Sequence, residues 1–281
     1  MALPKLFGLV GYPVKHSLSP LMHNAAFKAL NIDAEYKLFE VKPEELNSFL
    51  KDLNKSNISG LNITIPYKEK VLDFVTLDPD TLFLKQVKAV NTIVRSDDKW
   101  QGYNTDIFGF QKHLKEQFDP AAKKTAILGA GGACRAVAYA LAVSKAQSID
   151  IFDIDKEKGQ NLVAMVKSLF PEFAISGVNS IEELDIRNKD LLVNCTPVGM
   201  KEADPLLVKD EMLHKDLFVY DLIYNPAKTK LLVKAEEKGA KISNGLGMLL
   251  YQGALAFTYF TEEIPPVKVM EDALKEGVKN L

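Results

Sequence analysis

Short runs in which apolar and polar residues alternate organise the first hundred positions, and turn residues punctuate them. Leu6 to Gly11 reads as a strand closed by Gly11-Tyr12-Pro13. Ser19-Pro20 opens an amphipathic helix to about Leu30, with proline in the first turn, where no N–H is missed. Glu35 to Val41 reads as a second strand and Pro43 to about Leu53 as a second helix. In Gly60 to Ile65 the residues Leu61, Ile63 and Ile65 share one face, which predicts a third strand, and Pro66 opens a further helix. Ala89 to Arg95 and Trp100 to Tyr103 form a hairpin around Ser96-Asp97-Asp98-Lys99.

The pattern then changes. Asp106 to about Phe118 has helical spacing and leads to a polar break at Asp119-Pro120 and Lys123-Lys124. Thr125 to Leu128 is an apolar strand, followed by a glycine-rich turn and an alanine-rich helix from Ala133 to about Ser144. Ile149 to Phe152, Asp190 to Asn194, Phe218 to Asp221 and Lys241 to Ser243 read as later strands with helices between them. Leu246 to Tyr259 is apolar nearly all round, which fits a helix buried between two domains. Alternating strands and helices predict an α/β protein of two domains, each with a mostly parallel sheet. Residues 1–105, completed by C-terminal helices in 247–281 that pack back on them, are expected to form the first domain. Residues 106–246 form a Rossmann-like second.

Composition narrows the classes. In 281 residues, Lys and Arg number 35 and Asp and Glu 37, a net charge of -2 that offers no basic field for nucleic acid or acidic membranes. No apolar run reaches the ~18 residues of a membrane span, and Met1 to Gly11 lacks the features of a signal peptide. Cys134 and Cys195 are the two cysteines, so a disulfide framework is not expected and a reducing cytoplasm is. His16, His23, His113 and His214 form no metal-binding motif, so no metal is expected. Oligomeric state is not readable, and a homodimer stays open.

Gly129-Ala130-Gly131-Gly132-Ala133 follows a strand and precedes a helix. The first glycine allows a tight turn, and the second lets backbone approach a pyrophosphate at the helix N-terminus. The third glycine of the usual pattern is shifted to Gly132 or replaced by Cys134. Asp153 stands 24 positions after Gly129 at the end of the next strand, where an acid accepts from a ribose 2′-hydroxyl and repels a 2′-phosphate. Asp155 adds negative charge and Lys158 partly offsets it, so NAD is favoured over NADP. The plainer alternatives are a tight turn that serves packing, and an Asp155 that caps the next helix.

Other polar residues sit where a plain fold has no need of them. Ser17-Leu18-Ser19-Pro20 puts two hydroxyls at a helix start, and Asn62 and Thr64 alternate along an apolar strand. Lys68 falls in the first turn of the expected next helix, and Asn91-Thr92 and Asn104-Thr105-Asp106 end or leave other elements. Singly, Ser19 and Asp106 read as helix caps and Lys68 as a solvated lysine. Together, beside a nucleotide fold, they suggest a site that hydrogen-bonds a polyhydroxylated small molecule.

These segments bring the chain to a known family. Gly11-Tyr12-Pro13, Ser17-Leu18-Ser19-Pro20, Leu61-Asn62-Ile63-Thr64-Ile65-Pro66 with Lys68, Ala89-Val90-Asn91-Thr92, Gly102-Tyr103-Asn104-Thr105-Asp106 and Gly129 to Ala133 occur in order. Asn194-Cys195-Thr196-Pro197-Val198-Gly199-Met200, Asp221-Leu222-Ile223-Tyr224-Asn225-Pro226, and Gly245-Leu246-Gly247-Met248-Leu249 with Gln252 follow. Over nearly its whole length the sequence resembles shikimate dehydrogenases. The resemblance implies reversible reduction of 3-dehydroshikimate by NAD or NADP, in aromatic amino-acid biosynthesis, in a cleft between two domains. It implies that Ser17, Ser19, Asn62, Thr64, Asn91, Asp106, Tyr224 and Gln252 hold the substrate, and that Lys68 and Asp106 flank the reacting oxygen. It also implies that the cofactor rests on Gly129, Ala130, Gly131, Gly132, Ala133, Asp153, Thr196, Ile223 and Gly245; Asp155 and Lys158 join this set from their charges next to Asp153.

Departures bear on the details. Many relatives carry Asn-Arg-Thr where this chain has Asp153-Ile154-Asp155, and that Arg holds the NADP phosphate. Lys88 replaces a common glycine, Cys134 a small Ala or Ser, and Phe260-Thr261-Glu262 a common Trp-Thr-Gly. The leaning to NAD raises an NAD-dependent quinate/shikimate dehydrogenase as the alternative, against which Ser19 favours shikimate, since Thr or Gly there is typical of quinate users. A non-catalytic dinucleotide or shikimate sensor is the reading from another class, and it has no need of both Lys68 and Asp106. A methylenetetrahydrofolate dehydrogenase would lack the paired hydroxyls at Ser17 and Ser19.

Overall fold

The computed structural model describes residues 4–279; residues 1–3 and 280–281, the ends of the expected first domain, lie outside the described residues. The chain divides into two compact units, Met1–Gly109 with Leu250–Leu281 and Phe110–Leu249.

The first unit holds β1 (Lys5–Gly11), α1 (Ser19–Ala29), β2 (Ala34–Glu40), α2 (Leu46–Asp52), β3 (Ile58–Ile63), α3 (Leu84–Val87), β4 (Thr92–Ser96) and β5 (Lys99–Tyr103). Its sheet runs β2-β1-β3-β4-β5, with β1 parallel to both neighbours and β3, β4 and β5 antiparallel in turn. Phe7 of β1 meets Phe27 of α1 at 5.5 Å and stacks on Phe260 at 4.9 Å, so large aromatic side chains fill the layer between sheet and helices.

Helix α4 (Thr105–Lys115) runs from the first unit into the second. The second unit continues with β6 (Lys124–Leu128), α5 (Gly132–Val143), β7 (Ser148–Phe152), α6 (Lys156–Leu169), β8 (Ile175–Gly177), β9 (Leu191–Asn194), β10 (Phe218–Asp221), α7 (Lys230–Glu237) and β11 (Lys241–Ser243). Every pairing in its sheet, ordered β11-β10-β9-β6-β7-β8, is parallel. The chain leaves β6 toward β7 and returns to β9 on the other side, so the order reverses between β6 and β9. The carboxyl ends of strands at such a switch point form a ligand crevice. Leu128, Leu192, Val219, Leu231 and Leu232 are buried in the core beneath it. Helix α8 (Leu246–Thr261) returns to the first unit, and α9 (Val267–Lys279) then packs on α1, with Gly277 allowing the approach of Leu21.

Several local expectations change. Pro66 opens no α-helix: the segment to Val71 is a series of turns. The Lys68 carbonyl, which a helix would use internally, accepts instead from the Val90 N–H at 2.8 Å. Ser19 is not a cap; Leu18 holds that position in α1. Asp106 is not one either, since α4 opens at Thr105 and the Asn104 side chain accepts from the Ile107 N–H at 3.2 Å. Lys88 ends α3 in the left-handed conformation, φ 52°. That conformation suits glycine better than lysine.

Candidate active site

Lys68 and Asp106 meet in the first unit, with Nζ 2.6 Å from Oδ2 and side chains only 13% and 9% exposed. Distant parts of the chain place them. Lys68 is fixed through its own carbonyl, and Asp106 lies in the first turn of α4, where the helix N-terminus favours negative charge. A mostly buried ammonium held by one carboxylate can point a donor, and deliver a proton, to an oxygen that gains charge.

Beside this pair runs a chain of side-chain hydrogen bonds with a consistent direction. The Ser17 hydroxyl accepts from the Ser19 N–H and donates to the Ser19 oxygen, both at 3.2 Å. Ser19 in turn bonds to the Tyr36 phenol. Burial drives the Tyr36 pKa well above its ordinary value, and Ser19 opposes that rise. The phenol donates to Asn62 Oδ1 at 2.7 Å, and Asn62 Nδ2 donates to Thr92 Oγ1 at 3.0 Å. Thr92 donates to Asn91 Oδ1 at 3.1 Å, Asn91 Nδ2 donates to Thr105 Oγ1 at 2.9 Å, and Thr105 reaches Gln252 Oε1 at 3.4 Å. Five of the candidate substrate residues therefore share one buried network: Ser17, Ser19, Asn62, Asn91 and Gln252. Thr64 stands apart from it, just beyond β3, with its methyl group packed where a Cβ on Gly11 would collide.

The sequence pattern did not single out Tyr36. Its link to Asn62 crosses from β2 past β1 to β3, and no local spacing carries such information. The ring of His23, fully buried, lies parallel to that of Tyr36 with centroids 4.3 Å apart. Burial lowers its pKa to about 3, so this imidazole is neutral at physiological pH.

The second unit carries the other candidates. Gly129 has φ +100°, and a Cβ there would stand 3.1 Å from Thr196 Cγ2. Gly131 precedes α5 and has no atom within 4 Å of where a Cβ would be, and Gly132 and Ala133 form the first turn. Bare backbone and unsatisfied helix N–H groups fit a dinucleotide pyrophosphate. Cys134 donates its S–H to the Gly129 carbonyl at 2.9 Å, a packing role. Asp153 accepts from the Ala130 N–H at 2.7 Å and the Asp155 N–H at 2.8 Å, so it shapes the loop it was expected to serve. Asp155 caps α6, and the Lys158 N–H leads the contacts that hold its pKa down. Its carboxylate also pairs with Lys158 at 3.3 Å on the exposed surface. Ile223 accepts from the Gly245 N–H at 3.1 Å, and a Cβ on Gly245 would collide with the Leu222 carbonyl. Burial raises the pKa of Tyr224, which also belongs to this unit.

Among the described residues, no group of three His, Cys, Asp or Glu could hold a metal, and no helix is long and apolar enough to cross a membrane.

A parallel sheet with this glycine loop in one unit and a buried lysine–carboxylate pair in the other define a nicotinamide-dependent oxidoreductase. Residues 9–93 match the shikimate dehydrogenase substrate binding domain, and residues 245–275 the shikimate 5'-dehydrogenase C-terminal domain. A shikimate dehydrogenase (NADP(+)) of Methanopyrus kandleri is 45% identical over 279 residues, covering 97% of this chain and 95% of that one. The crystal structure of shikimate dehydrogenase from Aquifex aeolicus superposes with a TM-score of 0.88 at 39% identity, covering 98% and 99% of the two chains. That of Listeria monocytogenes, solved in complex with shikimate and NAD, gives 0.87 at 35% identity, covering 97% and 96%. The chain belongs to the shikimate dehydrogenase family.

Proposed function

We propose that this chain interconverts 3-dehydroshikimate and shikimate with a nicotinamide dinucleotide, and that Lys68 is its general acid and base. The observation that carries the reading is the buried Lys68–Asp106 pair beside the network from Ser17 to Gln252. When bound, the nicotinamide supplies or accepts the hydride. Lys68 Nζ donates a proton to the carbonyl oxygen in reduction and takes it back in oxidation. Asp106 holds the ammonium in place and has lone pairs left for a neighbouring substrate hydroxyl. Ser17, Ser19, Asn62, Thr64, Asn91, Tyr224 and Gln252 hold the carboxylate and the other hydroxyls. Residues 1–105 with 247–281 serve as the substrate and catalytic domain, and 106–246 as the dinucleotide domain.

Gly129 to Ala133, Thr196, Ile223 and Gly245 hold the dinucleotide. For its adenosine end we propose a preference for NAD. Asp153 and Asp155 put negative charge where a 2′-phosphate would sit, and Ile154, 93% exposed, cannot counter that charge. The two free cysteines suit a reducing cytoplasm. We propose no macromolecular partner beyond a second copy of the chain.

Initial rates for shikimate and quinate, each with NAD and NADP, test this reading. Shikimate with NAD is expected to give the highest kcat/KM. Dominance of NADP overturns the cofactor preference alone, and comparable quinate turnover favours the dual-substrate alternative. Binding of both ligands with no turnover overturns the catalytic assignment.

A further inference from the structure

The motifs Asn194 to Met200 and Asp221 to Pro226 contain polar residues that the reading above leaves without work. Strands β9 and β10 end side by side on Asn194 and Asp221, which are paired in register. Both side chains sit in fully buried residues. Asp221 Oδ1 accepts from Asn194 Nδ2 and from the Ile223 N–H, each at 3.0 Å, and Oδ2 accepts from the Thr229 hydroxyl at 2.7 Å. All three donors are neutral. Asn194 extends the network, with Oδ1 accepting from the Thr196 N–H at 3.0 Å and the Thr196 hydroxyl at 2.7 Å. Thr196 Oγ1 then accepts from the Val198 N–H at 3.2 Å. Thr229 closes the arrangement, with its methyl carbon 3.2 Å from where a Cβ on Gly199 would be.

One carboxylate thus ties the loop after β9 to the loop after β10 and to the start of α7. Burying a carboxylate without a cation is costly, and three neutral donors held in place by two loops and a helix start offset that cost. The position of the tie suggests its use. In a sheet of this order the pyrophosphate meets the loop after β6, and the acid after β7, here Asp153, marks the adenosine side. The ends of β9 and β10 lie on the other side of that switch point, where the other half of a dinucleotide would be held.

We propose that Asp221 is the positioning residue of the nicotinamide half-site. It touches neither cofactor nor substrate. Its Oδ1 holds Ile223 directly and Thr196 through Asn194, the candidate contacts on the two loops, while Oδ2 anchors the arrangement to Thr229. The inference rests on the dinucleotide reading above and deepens it.

Calorimetric binding to the intact protein separates the two halves of the site. The probes are NAD and NADP, with ADP and 2′-phospho-ADP as adenosine-side fragments. In Asp221→Ala, Kd for the preferred dinucleotide is expected to rise about tenfold while Kd for its fragment stays unchanged. Asp221→Asn should restore dinucleotide binding to within about twofold, because its oxygen can keep both N–H donors while its amide donates to the Thr229 hydroxyl. Equal weakening of dinucleotide and fragment, or no weakening of either, overturns the proposal. So does an Asn variant as weak as the Ala variant. If Asp221→Ala does not fold, Asn194→Ala cuts the same tie from β9, and the same outcomes decide. Wild-type protein that binds neither dinucleotide nor fragment would overturn the dinucleotide reading itself.

Discussion

In the first unit the candidate recognition atoms belong to side chains, each hydroxyl or amide turned by its neighbour along the run from Ser17 to Gln252. In the second, the loop after β6 offers main-chain N–H groups and carries small side chains, and Asp153, just after β7, holds it in place. A ligand with a distinctive set of hydroxyls is read by directed groups, which reject an analogue by leaving a buried partner unpaired. A pyrophosphate carries charge and little shape, and a row of backbone dipoles suffices. The first site should therefore fail when chemistry is removed, and the second when bulk is added.

The largest effect is expected at Lys68. Lys68→Ala removes the proton donor and should lower kcat by about 10²–10⁴-fold with little change in KM for shikimate. Steady-state kinetics decide, and a variant with near wild-type kcat removes Lys68 from the chemistry. Gly131→Ala tests the other half of the contrast. An added Cβ would enter open space, so melting temperature should hold while dinucleotide Kd rises about tenfold through lost backbone approach. Unchanged affinity by calorimetry would mean that the loop does not work through bare backbone.

Acid should also tell the units apart. His23 in the first unit has a pKa lowered to about 3 by burial. Below its unfolded pKa of about 6.5 the unfolded state binds the extra proton, so stability is full above that pH and is lost as pH falls toward 3. The loss approaches about 1.4 kcal/mol per pH unit from this residue alone. Asp221 in the second unit has the opposite sign, since burial raises its pKa and its penalty shrinks on acidification. Urea unfolding from pH 7.5 to 4.5 should show a slope that His23→Gln reduces by about one proton. An unchanged slope would mean that His23 is not the acid-labile group.

The smallest effect belongs to Lys88. Lys88→Gly relieves a left-handed lysine, and the greater freedom of an unfolded glycine offsets part of the gain. A net stabilisation of about 0.5 kcal/mol is expected in the same urea assay, with kinetics unchanged.

Several element boundaries follow local pattern to within a residue or two, while the starts of α2 and β4 and the end of α4 fall three residues inside the expected ones. Phe218–Asp221 and Lys241–Ser243 match the pattern, and the Gly129 turn stands between strand and helix as read. What the sequence concealed depends on distant partners. Pro66 through Val71 has the look of a helix start, yet the Val90 N–H claims the Lys68 carbonyl. The three-residue strand β8 and the four-residue helix α3 are too short to show a period. At the site, residue types were legible and their connections were not. Asn62 and Asn91 stand out as polar residues among apolar ones, but only folding shows that Tyr36 and Thr92 turn their amides.

Ile154 stands at the tip after β7, 93% exposed. An arginine there would offer a cation to a 2′-phosphate, and isoleucine offers none. A side chain held by so little can be exchanged without repacking the core or loosening the sheet. Under the NAD preference proposed above, the choice of cofactor rests on a residue the fold does not depend on. Such a preference could be redirected by substitution at this one position while the architecture beneath it stays intact.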